Sequence, residues 1–213
     1  DVTLPAEQQP AFQRALEEYE AELALHADRA SHLGQLGLLR LRQGRVGEAE
    51  QAWDRAIRAE PRASGNYLNL ADLYRLQGRE KAAERLLRDA LELMPGDGML
   101  HHALGLSLIR QQQRDAALEH LRRAWELQPE NPRTGYVLAV ALEPSAPQQA
   151  LEILRSGMDL HPQDRDLLWA GASFAIRHGQ LELATEFVDA LLRRDPVDRE
   201  ARQLHEQLGQ AVR

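Results

Sequence analysis

The side chains in this sequence best suited to chemistry are its histidines. His101 and His102 are adjacent, and His26, His32, His120, His161, His178 and His205 are dispersed along the chain. Neighbouring residues of a helix diverge by about 100 degrees, so His101 and His102 do not face one ion as an i, i+4 pair would. The expectation is packed or hydrated imidazoles and no metal site. Cysteine is absent, which removes disulfides, thiolate ligands, thiol nucleophiles and the C-x-x-C-H attachment of a c-type haem from these residues. There is no G-x-S-x-G, no phosphate-cradling glycine loop and no H-E-x-x-H, and neighbouring acids such as Glu17 and Glu18 read as a hydrated helix face. Nothing assembles a nucleophile, a base and an electrostatic stabiliser, so the chain reads as non-enzymatic, with no cofactor of its own.

The bulk properties narrow the partners. Acidic residues outnumber basic ones, 33 to 26, for a net charge of −7, and no Lys/Arg block interrupts the mixture. That pattern excludes nucleic acid as an expected ligand. No apolar run approaches the roughly eighteen residues that a membrane span requires. The abundance of Ala, Leu, Glu, Arg and Gln favours helix throughout. Because the sequence opens with Asp1 rather than Met, it reads as a processed or excised segment.

The elements that must position any site are set by an internal repeat. Pro61, Pro95, Pro129, Pro162 and Pro196 follow one another at intervals of 34, 34, 33 and 34 residues, each just after an apolar helical pattern runs out. Ala49, Ala83, Ala117, Ala150 and Ala184 keep the same intervals. Each unit reads as two amphipathic helices, the first pair spanning 30 to 43 and 46 to 60 around Gly44, with Gly78 and Gly179 at equivalent turns. Small residues (Gly37, Ala71, Gly105, Ala139, Ala172) are expected where a first helix approaches the alanine column of the second. Ala56, Ala90, Ala124 and Gly157 face the next unit, and Leu191 in that slot implies looser packing of the fifth. Gln112 replaces the turn glycine of the third unit. Pro144 and Pro147 shorten the fourth, so that its first helix should stop near Leu142.

These residues resemble the tetratricopeptide repeat (TPR), most clearly in GNYLNLADLYRLQGREKAAERLLRDALELMPGD, residues 65–97. The resemblance implies an all-α, right-handed α-solenoid of about five helix-turn-helix units. Its segments are an N-terminal extension with a degenerate half repeat (1–29), five repeats (30–63, 64–97, 98–131, 132–164 and 165–198, the fourth one residue short) and a capping helix (199–213). In the last segment Val197, Ala201, Leu204, Leu208 and Val212 mark the buried stripe. The order of LPAEQQPAFQRALEEYEAELALHADR, YLNLADLYRLQGR, HHALGLSLIRQ, ENPRTGYVLAVAL and HPQDRDLLWAGASF also resembles the C-terminal TPR arm of bacterial multihaem c-type cytochromes. Membership there would imply export to the periplasm, with c-type haem only in upstream regions. Without it the chain reads as cytoplasmic.

In such a solenoid the first helices line a concave groove, and residues there that point away from the core are the candidate ligand contacts. They are Leu38, Arg42, Leu68, Asn69, Asp72, Arg75, His102, Leu106, Ile109, Arg110, Tyr136, Val140, Trp169 and Arg177. The groove reads as mostly apolar, edged by Arg42, Arg110 and Arg177, with Asn69, Asp72 and Arg75 as a polar cluster. Two readings stay open: an open face that holds a protein or peptide through anchors such as Tyr136 and Trp169, or burial of these side chains inside the array. Trp53 and Trp125, in second helices, read as interhelix packing. Chaperone-binding TPR domains, which this fold resembles, grip a terminal carboxylate with Lys and Asn. Asn69 matches one such residue, but Gly34, Leu38, Met99 and Ala103 stand where the basic ones would be. The expected role is a scaffold for a partner polypeptide or another domain of the parent chain, the alternative being a homodimerisation module that uses the groove or terminal helices.

Overall fold

A computed structural model describes residues 9–25 and 29–211. Twelve helices and no strand occur among the described residues. They divide into two units, one ending at Pro95 and one beginning at Gly96. His26, Val212 and the first eight residues lie outside the described residues.

The first unit holds α1 (Gln9–Leu25), the pair α2 (Ala30–Arg42) and α3 (Val46–Ala59), and the pair α4 (Ser64–Leu76) and α5 (Glu80–Leu93). The second holds three pairs and a final helix: α6 (Gly98–Arg110) with α7 (Arg114–Leu127), α8 (Pro132–Leu142) with α9 (Pro147–Leu160), α10 (Arg165–Arg177) with α11 (Leu181–Arg194), then α12 (Arg199–Ala211). Within each unit the helices of a pair pack together, and each second helix packs on the next first helix. Each unit is therefore an all-α stack of helix pairs. In the first α1 rests on α2, and in the second α12 packs against α11.

Local chemistry sets the boundaries. Asp97, Asn131 and Asp164 cap α6, α8 and α10, their side chains accepting from the amides of Met99 and Leu100, Arg133, and Leu167 respectively. Gly44, Gly78 and Gly179 turn the chain at φ 74, 71 and 71°. Gln112 adopts the same left-handed conformation at φ 62°, although it carries a Cβ. The shortened fourth repeat ends α8 at Leu142 as its prolines predict, and Pro147 opens α9.

The alanine column is buried completely or nearly so at all five positions. What the small residues opposite accommodate is a large side chain from the paired helix rather than alanine alone. A Cβ on Gly37 would fall 2.5 Å from Nε1 of Trp53, and one on Gly105 would fall 2.7 Å from Leu121. Trp53 is fully buried and donates from Nε1 to the Gly34 carbonyl at 3.1 Å. Side chains buried to this degree stabilise by about 1.5–3 kcal/mol each. Leu191 is also buried, so its slot is filled rather than loose, and Val197 corrects the expected capping stripe, lying before α12 and exposed.

Candidate functional site

The second unit assembles a surface from its first helices. Tyr136 and Val140, one turn apart on α8, stay 37% and 43% exposed, as do Met99 and Ile109 on α6 to a similar degree. Large apolar side chains left partly in water are the candidates for contact with a partner. Between α8 and α10 lies a hollow of about 410 Å³ lined by Tyr136, Arg165, Asp166, Trp169, Ala170, Ser173, Phe174 and Arg177. Trp169 forms its half-buried wall, with the Arg165 guanidinium 5.4 Å from the indole centroid. Arg177 closes the other end. It lies 4.6 Å from the Phe174 ring and donates from Nε to Glu143 at 2.9 Å, tying α10 to the end of α8.

His102 departs from the expected pattern. It was expected to contact ligand, but it is only 7% exposed, and Nδ1 finds no protein hydrogen-bond partner. Burial, followed by the nearby Arg133 guanidinium, pushes its pKa below the ordinary histidine value. The physical reason is packing: at this position of α6 the imidazole is desolvated and feels the charge of Arg133 at the start of α8. His102 thus lies beneath the surface, and Leu106 is half-buried. The histidines are not all dispersed either. His101 and His120 meet across α6 and α7, Nδ1 to Nδ1 at 2.9 Å and ring centroids 5.2 Å apart, so one imidazole donates to the other. Among the described residues no three His, Cys, Asp or Glu side chains converge to hold a metal ion.

In the first unit Leu38 and Arg42 are exposed and Leu68 and Asn69 are half-buried. Of the expected polar cluster, Arg75 donates from Nε to Asp72 at 2.9 Å, an exposed i, i+3 pair that Asn69 does not join. Arg110 is exposed at the end of α6. Trp125 packs as expected of a second-helix tryptophan: a Cβ on Gly135 of α8 would meet its ring at 2.8 Å.

With helix pairs, turn residues and small-to-large packing all in place, sequence profiles described as Tetratricopeptide repeat match residues 35–98, 100–131 and 141–208. The chain belongs to the tetratricopeptide repeat family. Among solved TPR structures it is similar to YrrB, described as a TPR protein with an unusual peptide-binding site, at a TM-score of 0.61 and 19% identity over 90% of this chain and 99% of that one. It is similar to PilF of Pseudomonas aeruginosa at a TM-score of 0.67 and 20% identity, covering 86% of this chain and 84% of that one. It is also similar to yeast Tom70, at 0.72 and 16%, over 99% of this chain and 44% of Tom70. At these identities the likeness is one of TPR fold. No curated protein sequence matches this TPR chain.

Sequence reasoning missed Arg133. Unlike Arg165 and Arg177, it makes no ion pair with any of the described residues. The signal that could have found it is compositional: neither α6 nor α8 contains a single Asp or Glu.

Proposed function

We propose that this TPR chain is a non-catalytic scaffold that holds a polypeptide segment, of a partner or of another domain of its parent chain, on the first helices of its second unit. The observation that carries the reading is the exposure of Met99, Ile109, Tyr136 and Val140 on α6 and α8, beside the hollow walled by Trp169. Exposed apolar side chains gain by being covered, and a hollow beside an aromatic pair takes a side chain of the incoming segment as an anchor. The description of YrrB as having a peptide-binding site is in keeping with this role.

The test is substitution of Tyr136 and Trp169 by alanine together, with Tyr136→Ala alone as the milder variant. Bound polypeptide should be lost while far-UV circular dichroism stays that of the parent; full retention by both variants would move the site elsewhere. Covering of the same face by a second copy of the chain is the alternative, which light scattering separates: a 24.1 kDa species at all concentrations speaks for a hetero-partner. The resemblance to the TPR arm of multihaem cytochromes gains no support from the likenesses above. Reading the gene upstream of Asp1 for C-x-x-C-H motifs decides it.

A further inference from the structure

We infer that the segment held on α6 and α8 is acidic, carrying a carboxylate for Arg133 next to a bulky apolar residue for the hollow at Tyr136 and Trp169. This rests on the scaffold reading of the same face and adds the chemistry of its occupant.

The argument is one of charge. The whole chain is acidic at −7, yet α6 and α8 carry only Arg110, Arg133 and histidines among their ionisable groups apart from the Tyr136 phenol. The two helices are neighbours at their N-terminal ends, where Asn131 Nδ2 reaches Met99 Sδ at 3.8 Å and the Arg133 charge is felt by His102. Of the acids near this surface, Asp97 caps α6 and Glu143 receives Arg177, while exposed Glu130 precedes α8 and exposed Asp166 lies on the α10 side of the hollow. Arg165 and Arg177 are likewise committed, to Glu200 and Glu143. Arg133 is not. It is exposed, makes no ion pair among the described residues and stands one turn before Tyr136 on α8. An unneutralised guanidinium beside exposed Met99 and Tyr136 is complementary to a carboxylate flanked by apolar side chains. A basic segment would meet repulsion there, with no free carboxylate on either helix to receive it.

The placement also allows a clean test. Arg133 is exposed in the first turn of α8, where the helix dipole favours negative charge, so Arg133→Glu reverses the charge without costing the fold. Random dodecapeptides displayed on phage are selected in parallel on the full wild-type chain, on Arg133→Glu and on Tyr136→Ala. Wild-type selection should enrich peptides with Asp or Glu next to a Phe, Trp, Leu or Met. Synthetic copies of those peptides should weaken by about tenfold or more on Arg133→Glu and on raising the salt concentration. Enriched peptides that are neutral or basic, and that Tyr136→Ala no longer holds, overturn the acidic occupant and leave the scaffold face standing. Failure to enrich any peptide, or enrichment indifferent to Tyr136→Ala, overturns both.

Discussion

Replacing Gly37 by alanine tests the packing logic of the repeat most sharply, because helix propensity and tertiary contact pull in opposite directions. In an isolated helix the change gains about 0.8–1 kcal/mol. In this fold the new methyl would sit 2.5 Å from Nε1, 2.6 Å from Cε2 and 2.8 Å from Cδ1 of Trp53. The ring has nowhere to go, being fully buried and held to the Gly34 carbonyl at 3.1 Å. Overpacking of this kind costs about 1–3 kcal/mol, and sliding the indole forfeits its hydrogen bond at about 0.5–1.5 kcal/mol more. The net expectation is a loss of about 0.5–3.5 kcal/mol. Gly47→Ala supplies the contrast, since nothing lies within 4 Å of the added carbon in α3, and it should gain up to about 0.5–1 kcal/mol. Urea unfolding followed by tryptophan emission, in a background with Trp125 and Trp169 changed to Phe, reports on Trp53 alone. Pairing Gly37→Ala with Trp53→Leu, followed by far-UV circular dichroism because that combination retains no tryptophan, should abolish much of the penalty. If Gly37→Ala unfolds at the same or higher urea than its parent, the small-to-large account of these helix pairs is wrong.

Two further outcomes follow from the second unit. Gln112→Gly removes a side chain from a left-handed backbone conformation at φ 62° and should stabilise by about 0.5–1 kcal/mol in thermal or urea melts; a loss would show that the Gln112 side chain itself contributes. His102→Leu should flatten the pH dependence of stability. With the folded pKa lowered by burial and by Arg133, the unfolded chain takes the proton more readily, so the stability from neutral His102 is complete above about pH 6.5 and declines as pH falls through and below that value. Urea midpoints that fall equally in both proteins between pH 7 and pH 5, in roughly the range where histidines titrate, would rule this out.

Much of the fold was legible because the determinants repeat. Proline cannot sit inside a helix and only a small residue fits a close interhelical approach, so Pro61 to Pro196 mark pair boundaries and Ala49 to Ala184 mark the contacts within pairs, whatever the residues between them. The shortened fourth repeat was legible for the same reason, in Pro144 and Pro147. The site was less so. Tyr136, Val140 and Ile109 were recognisable as outward positions, but how far an outward side chain is covered depends on packing between helices that the repeat register does not encode. His102 and its column-mate Tyr136 differ in this way, one buried and the other exposed. The meeting of His101 and His120 was hidden because it depends on the rotation of two antiparallel helices about their axes across a turn of uncertain register. Arg133 went unnoticed because its distinction lies in what surrounds it, an absence of carboxylates over two helices distant in sequence.

The glycines at the junctions of the second unit carry a consequence for assembly during folding. Gly135 admits Trp125 from the preceding pair, and Gly157 admits Leu167 from the following one, so each seam is cut to its own key rather than to a common template. A chain built from near-identical modules risks docking a module against the wrong neighbour, or against its counterpart in another molecule, and such errors are long-lived. Mismatched seams here would press a bulky ring or branched side chain against a Cβ-bearing residue, or leave a void, and would be shed. The order of modules is thereby written into the seams, and transplanting or duplicating one of them requires carrying its partner residue along.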